Sequence, residues 1–175
     1  YSLDVITVDG LAKDLTRNGI IDTFLSSKSE YLFFLSTDTI FPADTIDLLM
    51  KSEKDIISAL TFTNRKVRPT FLMKKDGKYS VVEKIENMGQ VLEVDAVGMD
   101  CYLIKKEVFE KIDKKNKDQP FFKTDYKNRK EFVSEDIYFS ELVKKAGYSI
   151  HVDTRLIVGK TGSIAPEAIF RDYFR

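Results

Sequence analysis

From residue 3 to residue 60 the sequence alternates strand and helix patterns, and that alternation leaves few architectures open. LDVITV, residues 3–8, reads as a strand. Residues 11–26 carry an apolar helical side that includes Leu11, Leu15, Ile21 and Phe24. Then come a strand over 31–35, a helix over 43–52 that begins after Pro42, and a strand over 55–60. A β-α-β-α-β order implies a sheet of parallel strands with helices packed on it. The predicted class is therefore α/β, with a mixed, mainly parallel sheet flanked by helices.

The middle of the chain changes character. Asp76-Gly77 lies between two strand-like runs, a good signal for a small antiparallel hairpin. Residues 91–106, VLEVDAVGMDCYLIKK, read as further strand interrupted at Gly98, and a helix follows over 106–112. The next twenty or so residues, DKKNKDQPFFKTDYKNRKEF, show no periodicity; a loop of about that length in a compact domain is usually functional or mobile. Ser134 opens a helix that runs to Ala146, Gly147 ends it, and residues 149–158 form a last strand. One domain over 1–175 is expected. Because Tyr1 opens directly into strand-like sequence, a further strand is expected upstream of it.

Composition narrows the function classes. Lys and Arg number 28 against 28 Asp and Glu, so overall charge gives no reason to expect a nucleic-acid partner. No run approaches the ~18 apolar residues of a membrane span. The single cysteine, Cys101, excludes a disulfide scaffold. A soluble, cytoplasmic domain is the expectation.

Candidate site residues begin at the end of strand 31–35, where an apolar run stops at Ser36-Thr37-Asp38. In open α/β sheets ligands bind beyond the carboxyl ends of strands. Asp38 is equally well placed to cap a turn or helix. Ser134-Glu135-Asp136 has the same double reading, since a serine cap with acids in the first turn complements the helix dipole. Gly98, beside Met99 and Asp100, suggests a bulge or a close approach of backbone to a ligand. Arg17-Asn18 places an arginine beside a poor helix former in the first helix.

In their order, LTRN, YLFFLSTDTIFPADTIDLLM, DIISALTFTNR, VDAVGMDCYLIKKEVFEKI, PFF and SEDIYFSELVKKAGYSIHVDT resemble a nucleotide-sugar glycosyltransferase of the GT-A fold. The family-2-like, inverting enzymes are the most similar, and the resemblance covers residues 11–162. It implies transfer of a sugar from a nucleoside-diphosphate sugar to a hydroxyl of a glycan, protein or lipid acceptor. On it Asp136 is the catalytic base with Glu135 its stand-in, and Arg17, Asn18, Ser36, Thr37 and Asp38 face the donor. Arg65 and Arg68 are further donor contacts, with a solvated loop the competing reading for both. Asp95, Gly98, Met99 and Asp100 form the sugar- and acceptor-facing loop, and Phe121 and Phe122 resemble an acceptor-side flap. Mn²⁺ or Mg²⁺ is implied at Asp38.

Two positions depart from that pattern. Ser36-Thr37-Asp38 stands where the family has Asp-x-Asp, and Gly159-Lys160 where it often supplies a metal-ligating histidine. Hard cations want several oxygen ligands. A metal held mostly by the donor's phosphates is one reading. Lys160 supplying part of the cation's charge is the other, since lysine binds phosphate as a point charge. The departures also leave open a non-catalytic sugar-nucleotide or glycan-binding module of the same fold. A nucleotidyltransferase would want a Gly-rich basic loop near its N-terminus, which is not visible. VGKTGS lacks the earlier glycine of a phosphate-binding loop, position 154 being Thr. His151, the lone histidine, alternates with Asp153 on a strand face and reads as structural.

Overall fold

The computed structural model describes residues 2–8, 12–63, 68–115, 119–126 and 132–161. Leu11 and Arg65 therefore lie outside the described residues. The helices are α1 (Lys13–Ser26), α2 (Thr45–Lys51), α3 (Lys106–Lys115) and α4 (Glu135–Ala146). The central sheet is built from β1 (Tyr31–Leu35), β3 (Ile56–Leu60), β6 (Val91–Val94), β8 (Cys101–Lys105) and β11 (Ile150–Ile157). Short strands complete the set: β2 (Thr39–Ile40), β4 (Phe71–Lys75), β5 (Lys78–Val81), β7 (Ala96–Val97), β9 (Asp125–Tyr126), β10 (Phe132–Val133) and β12 (Gly159–Lys160).

The five strands lie in the order β1-β8-β3-β11-β6. Strands β3 and β11 pair in parallel, whereas β8 runs antiparallel to both β1 and β3, and β6 antiparallel to β11. The expected mixed sheet flanked by helices is thus observed, but its ladders are mostly antiparallel. The reason is that β8 returns through the sheet between β1 and β3, where a simple β-α-β order would have set those two side by side.

Side chains alternate across the sheet with period two. Ile56, Leu60, Tyr102 and Ile104 join one buried cluster, with Ile21 and Phe24 of α1, Val108, Phe109 and Ile112 of α3, and Phe139 and Val143 of α4. Ile57, Ala59, Cys101 and Leu103 face the other way and pack with Leu49 of α2. All five residues of β3 are buried, while β1, on the sheet edge, buries only Phe34 fully. A strand with one neighbour keeps part of its apolar surface accessible.

Local chemistry accounts for several boundaries. Asp76 and Gly77 both have positive φ, at 51° and 76°, as the tight turn between β4 and β5 requires. Ser134 Oγ accepts a hydrogen bond from Ile137 N at the start of α4, and Gly147, at φ 91°, closes its end in the left-handed region.

Two expectations fail. Residues 3–8 enter no strand, and Leu3, Val5, Ile6 and Val8 are exposed. A strand pattern forms a strand only where a neighbouring strand pairs with its backbone, and residues 3–8 pair with none among the described residues. Leu15, expected on the buried side of α1, is also exposed; Ile21 and Phe24 carry that side.

Candidate active site

An open cleft of about 580 Å³ lies at the end of the sheet where β1 finishes and α4 begins. Its floor includes Gly98, Met99 and Asp100, from the loop that joins β7 to β8. Lys13 and Arg17 enter from α1, Arg68 from the segment before β4, Ser134 and Asp136 from the start of α4, and Lys160 from β12. Four cations therefore line a cleft with two carboxylates, in a chain whose formal charge is zero. Such a cleft suits an anionic ligand.

Arg17 and Asn18 have separate tasks. Asn18 Nδ2 donates to the Phe122 carbonyl at 2.8 Å, and its Oδ1 accepts from Phe122 N at 3.0 Å. The clamp fixes Phe122 beneath Arg17, whose guanidinium lies 5.4 Å from the ring centroid. Arg17 Nη1 then reaches both carboxylates of α4, Glu135 Oε1 at 3.1 Å and Asp136 Oδ1 at 2.5 Å. Glu135 is the more enclosed, with 9% of its side chain accessible against 25% for Asp136. Burial pushes the Asp136 carboxyl up to about 6, because the Arg17 charge offsets desolvation only in part and Glu135 and Asp100 add like-charge repulsion. Below the site, Tyr102 is fully buried, and its hydroxyl finds no hydrogen-bond partner among the described residues. Burial, with the nearby Asp136 charge, holds that phenol well above its ordinary range.

The other side of the site is a lattice around Asp100. Ser36 N donates to the Asp100 carbonyl at 3.0 Å and Ser36 Oγ to Asp100 Oδ1 at 2.9 Å. Lys160 Nζ lies 2.8 Å from the same Oδ1 and 3.6 Å from Asp38 Oδ1. The backbone aligns them: Lys160 pairs with Thr39 in the β12–β2 ladder, and Thr161 N donates to the Asp38 carbonyl at 2.7 Å.

The structure thus brings Arg17, Glu135, Asp136, Asp100, Gly98, Met99 and Lys160 together, with Ser36 and Asp38 joined through Asp100 and Lys160. Thr37 is exposed beside them. Asn18, Phe121, Phe122 and Asp95 are engaged elsewhere. Asn18 spends its amide on the Phe122 backbone. Phe121 and Phe122 are no flap: both are buried, Phe122 stacked on Phe139 at 4.7 Å and Phe121 set edge-on to Phe109 at 5.6 Å. Asp95 is tied to Lys144 and accepts from Lys74 N at 2.6 Å, which fastens the β4–β5 hairpin to α4. Gly98 makes its close approach to protein, since a Cβ there would stand 3.3 Å from Thr70 Cβ. Lys13 was missed, although it lies one turn before Arg17 and so on the same helix face.

A divalent cation at Asp38 meets an unsuitable donor set. Among the described residues no three His, Cys, Asp or Glu side chains gather to hold a metal ion. The Lys160 ammonium already bridges the two nearest carboxylates. Hard cations require about six oxygen ligands, which these side chains by themselves do not supply.

No protein-family model matches the sequence, and no curated protein does. Solved structures do. A197 from STIV superposes with a TM-score of 0.57 at 21% identity, over 88% of this chain and 70% of that one. GalNAc-T7, in a structure with UDP, GalNAc and Mn²⁺, gives a TM-score of 0.57 at 11% identity over 85% of this chain. This chain spans 30% of the length of that GT-A glycosyltransferase chain. The inositol-1-phosphate CTP transferase from T. maritima gives 0.45 at 11% identity, over 89% of this chain and 60% of that one. The likeness is one of fold. It puts the mixed sheet and its helices beside a GT-A glycosyltransferase and leaves the chemistry to the cleft.

Proposed function

We propose that the chain transfers a sugar from a nucleoside-diphosphate sugar to an acceptor hydroxyl by a single inverting displacement. The observation that carries this reading is a carboxylate raised to about 6, Asp136, facing a cleft lined by Lys13, Arg68 and Lys160. A base poised near neutral pH and a cationic bed for a leaving diphosphate are the two things this displacement needs.

In the reaction the acceptor oxygen forms a bond to the anomeric carbon while its proton passes to Asp136. The bond from that carbon to the diphosphate oxygen breaks, and its electron pair leaves with the diphosphate. Arg17 holds Asp136 in place through one oxygen, which leaves the other for the acceptor proton. Glu135, more enclosed and also held by Arg17, balances the guanidinium charge. The developing negative charge falls among Lys160, Lys13 and Arg68. The metal that the family resemblance implies has no step here, since its donor set is taken.

A panel of nucleotide sugars, followed by release of nucleoside diphosphate, tests the reading. Wild type should turn over at least one donor, and Asp136→Asn should bind that donor but turn it over about 10²–10⁴-fold more slowly. Calorimetric donor binding without turnover in wild type would instead support the sugar-nucleotide-binding module. A panel with neither binding nor turnover would remove both.

A further inference from the structure

We propose that Lys160 is the resident cation of the diphosphate site, so that this chain binds a diphosphate without a divalent metal. The placement of Lys160 rests on backbone as well as side chain. Its strand pairs with β2, and the next residue donates to the Asp38 carbonyl, so the ammonium is delivered to the mouth of β1 by the ladder itself. There it sits 2.8 Å from Asp100 Oδ1, the ordinary distance for an ammonium on a carboxylate. A metal ion would instead need oxygens at about 2.0–2.6 Å. Only 16% of the Lys160 side chain is accessible, and that part faces the cleft.

The charges agree with this role. Asp38 and Asp100 are the two carboxylates that would have drawn a divalent cation, and one ammonium neutralises them in part. Ser36, standing where the resemblance expects an acid, gives a hydroxyl that donates to Asp100 and does not compete for Lys160. A serine at 36 brings no negative charge to this end of the sheet, and the lysine at 160 brings a positive one. Lys13 and Arg68 supply the remaining positive charge toward a bound diphosphate.

This inference deepens the transfer reading but is tested apart from it, with inorganic pyrophosphate and Mn²⁺ as the probes. Calorimetry in chelator should show pyrophosphate binding to wild type. Lys160→Met should weaken that binding by about tenfold to a hundredfold, the loss of a charge-assisted hydrogen bond, while Lys160→Arg should retain most of it. Titration of Mn²⁺, read by electron paramagnetic resonance, should find no tight site in wild type. Pyrophosphate binding to wild type that requires Mn²⁺, or is unchanged in Lys160→Met, overturns the proposal. Should Lys160→Met not fold, as judged by circular dichroism, the wild-type comparison of chelator against excess Mn²⁺ decides alone. Failure of every sugar donor with these results intact would cost the transfer reading and leave the diphosphate site standing.

Discussion

Under the proposed mechanism, the Asp136 proton bears on activity and on stability in opposite directions. Its carboxyl titrates at about 6 in the folded chain, against about 3.9 for an unperturbed aspartate. Between those values the native state holds a proton that the unfolded state has released, so stability falls as pH rises through the window. The contribution is complete below about 3.9 and gone above about 6. A general base works only when deprotonated, so with Asp136 as the proposed base kcat/KM should climb through about pH 6 to a plateau. Asp136→Asn cannot ionise. It should therefore unfold at higher urea than wild type at pH 7, by on the order of 2 kcal/mol, and match it near pH 4. Urea midpoints at the two pH values check this; equal midpoints at pH 7 would mean that Arg17 fully compensates the burial. The Tyr102 hydroxyl behaves differently, because it has no hydrogen-bond partner among the described residues. Tyr102→Phe should leave stability unchanged or raise it by up to about 1 kcal/mol. A clear loss in the same urea assay would show that a bridging water satisfies the hydroxyl.

Elements bring such residues together, and here local and non-local causes separate. Helix α4 was legible in the sequence because Ser134, the acids after it and Gly147 act within their own turn of chain. The β4–β5 hairpin was legible for the same reason, since Asp76-Gly77 meets the positive φ of its turn directly. Residues 3–8 and Phe121-Phe122 were misread because their fate depends on partners far along the chain. A strand pattern needs an open edge, and an aromatic pair in a polar stretch is buried only if Phe109 and Phe139 arrive beside it. Lys160 reaches Asp100 by way of a ladder with β2, which no motif announces. The docking of α1 can be tested at Asn18, which clamps the Phe122 backbone from both sides. Asn18→Ala strands a backbone donor and acceptor and should cost about 2 kcal/mol. If the clamp seats Arg17 as described, kcat should fall as well, although the Asn18 amide is spent on the Phe122 backbone. A variant destabilised in urea but unchanged in kcat would separate the clamp from the site.

At the scale of the whole molecule, the sheet divides two cores of unequal standing. The larger joins α1, α3 and α4 and runs without a break from Phe24 through Phe109 and Phe139 to Phe122, on which Arg17 rests. The smaller, around Leu49 of α2, lies on the opposite face. Packed interiors transmit displacement along contiguous contacts, so the two cores should couple to the site unequally. Phe139→Leu keeps an apolar side chain but removes a ring from the stack, which should cost about 1–3 kcal/mol. Leu49→Ala opens a cavity and should cost about 2–5 kcal/mol. The milder substitution should nevertheless do the greater harm to turnover, because losing the ring lets Phe122 and Arg17 shift against Asp136. Leu49→Ala should leave kcat within about twofold of wild type, as its cluster holds no residue of the aromatic stack under Arg17. Both variants are assayed well below their melting temperatures, with donor turnover read beside the urea midpoint. If turnover follows stability loss in both, the cleft draws equally on the two faces and the aromatic stack has no special hold on Arg17.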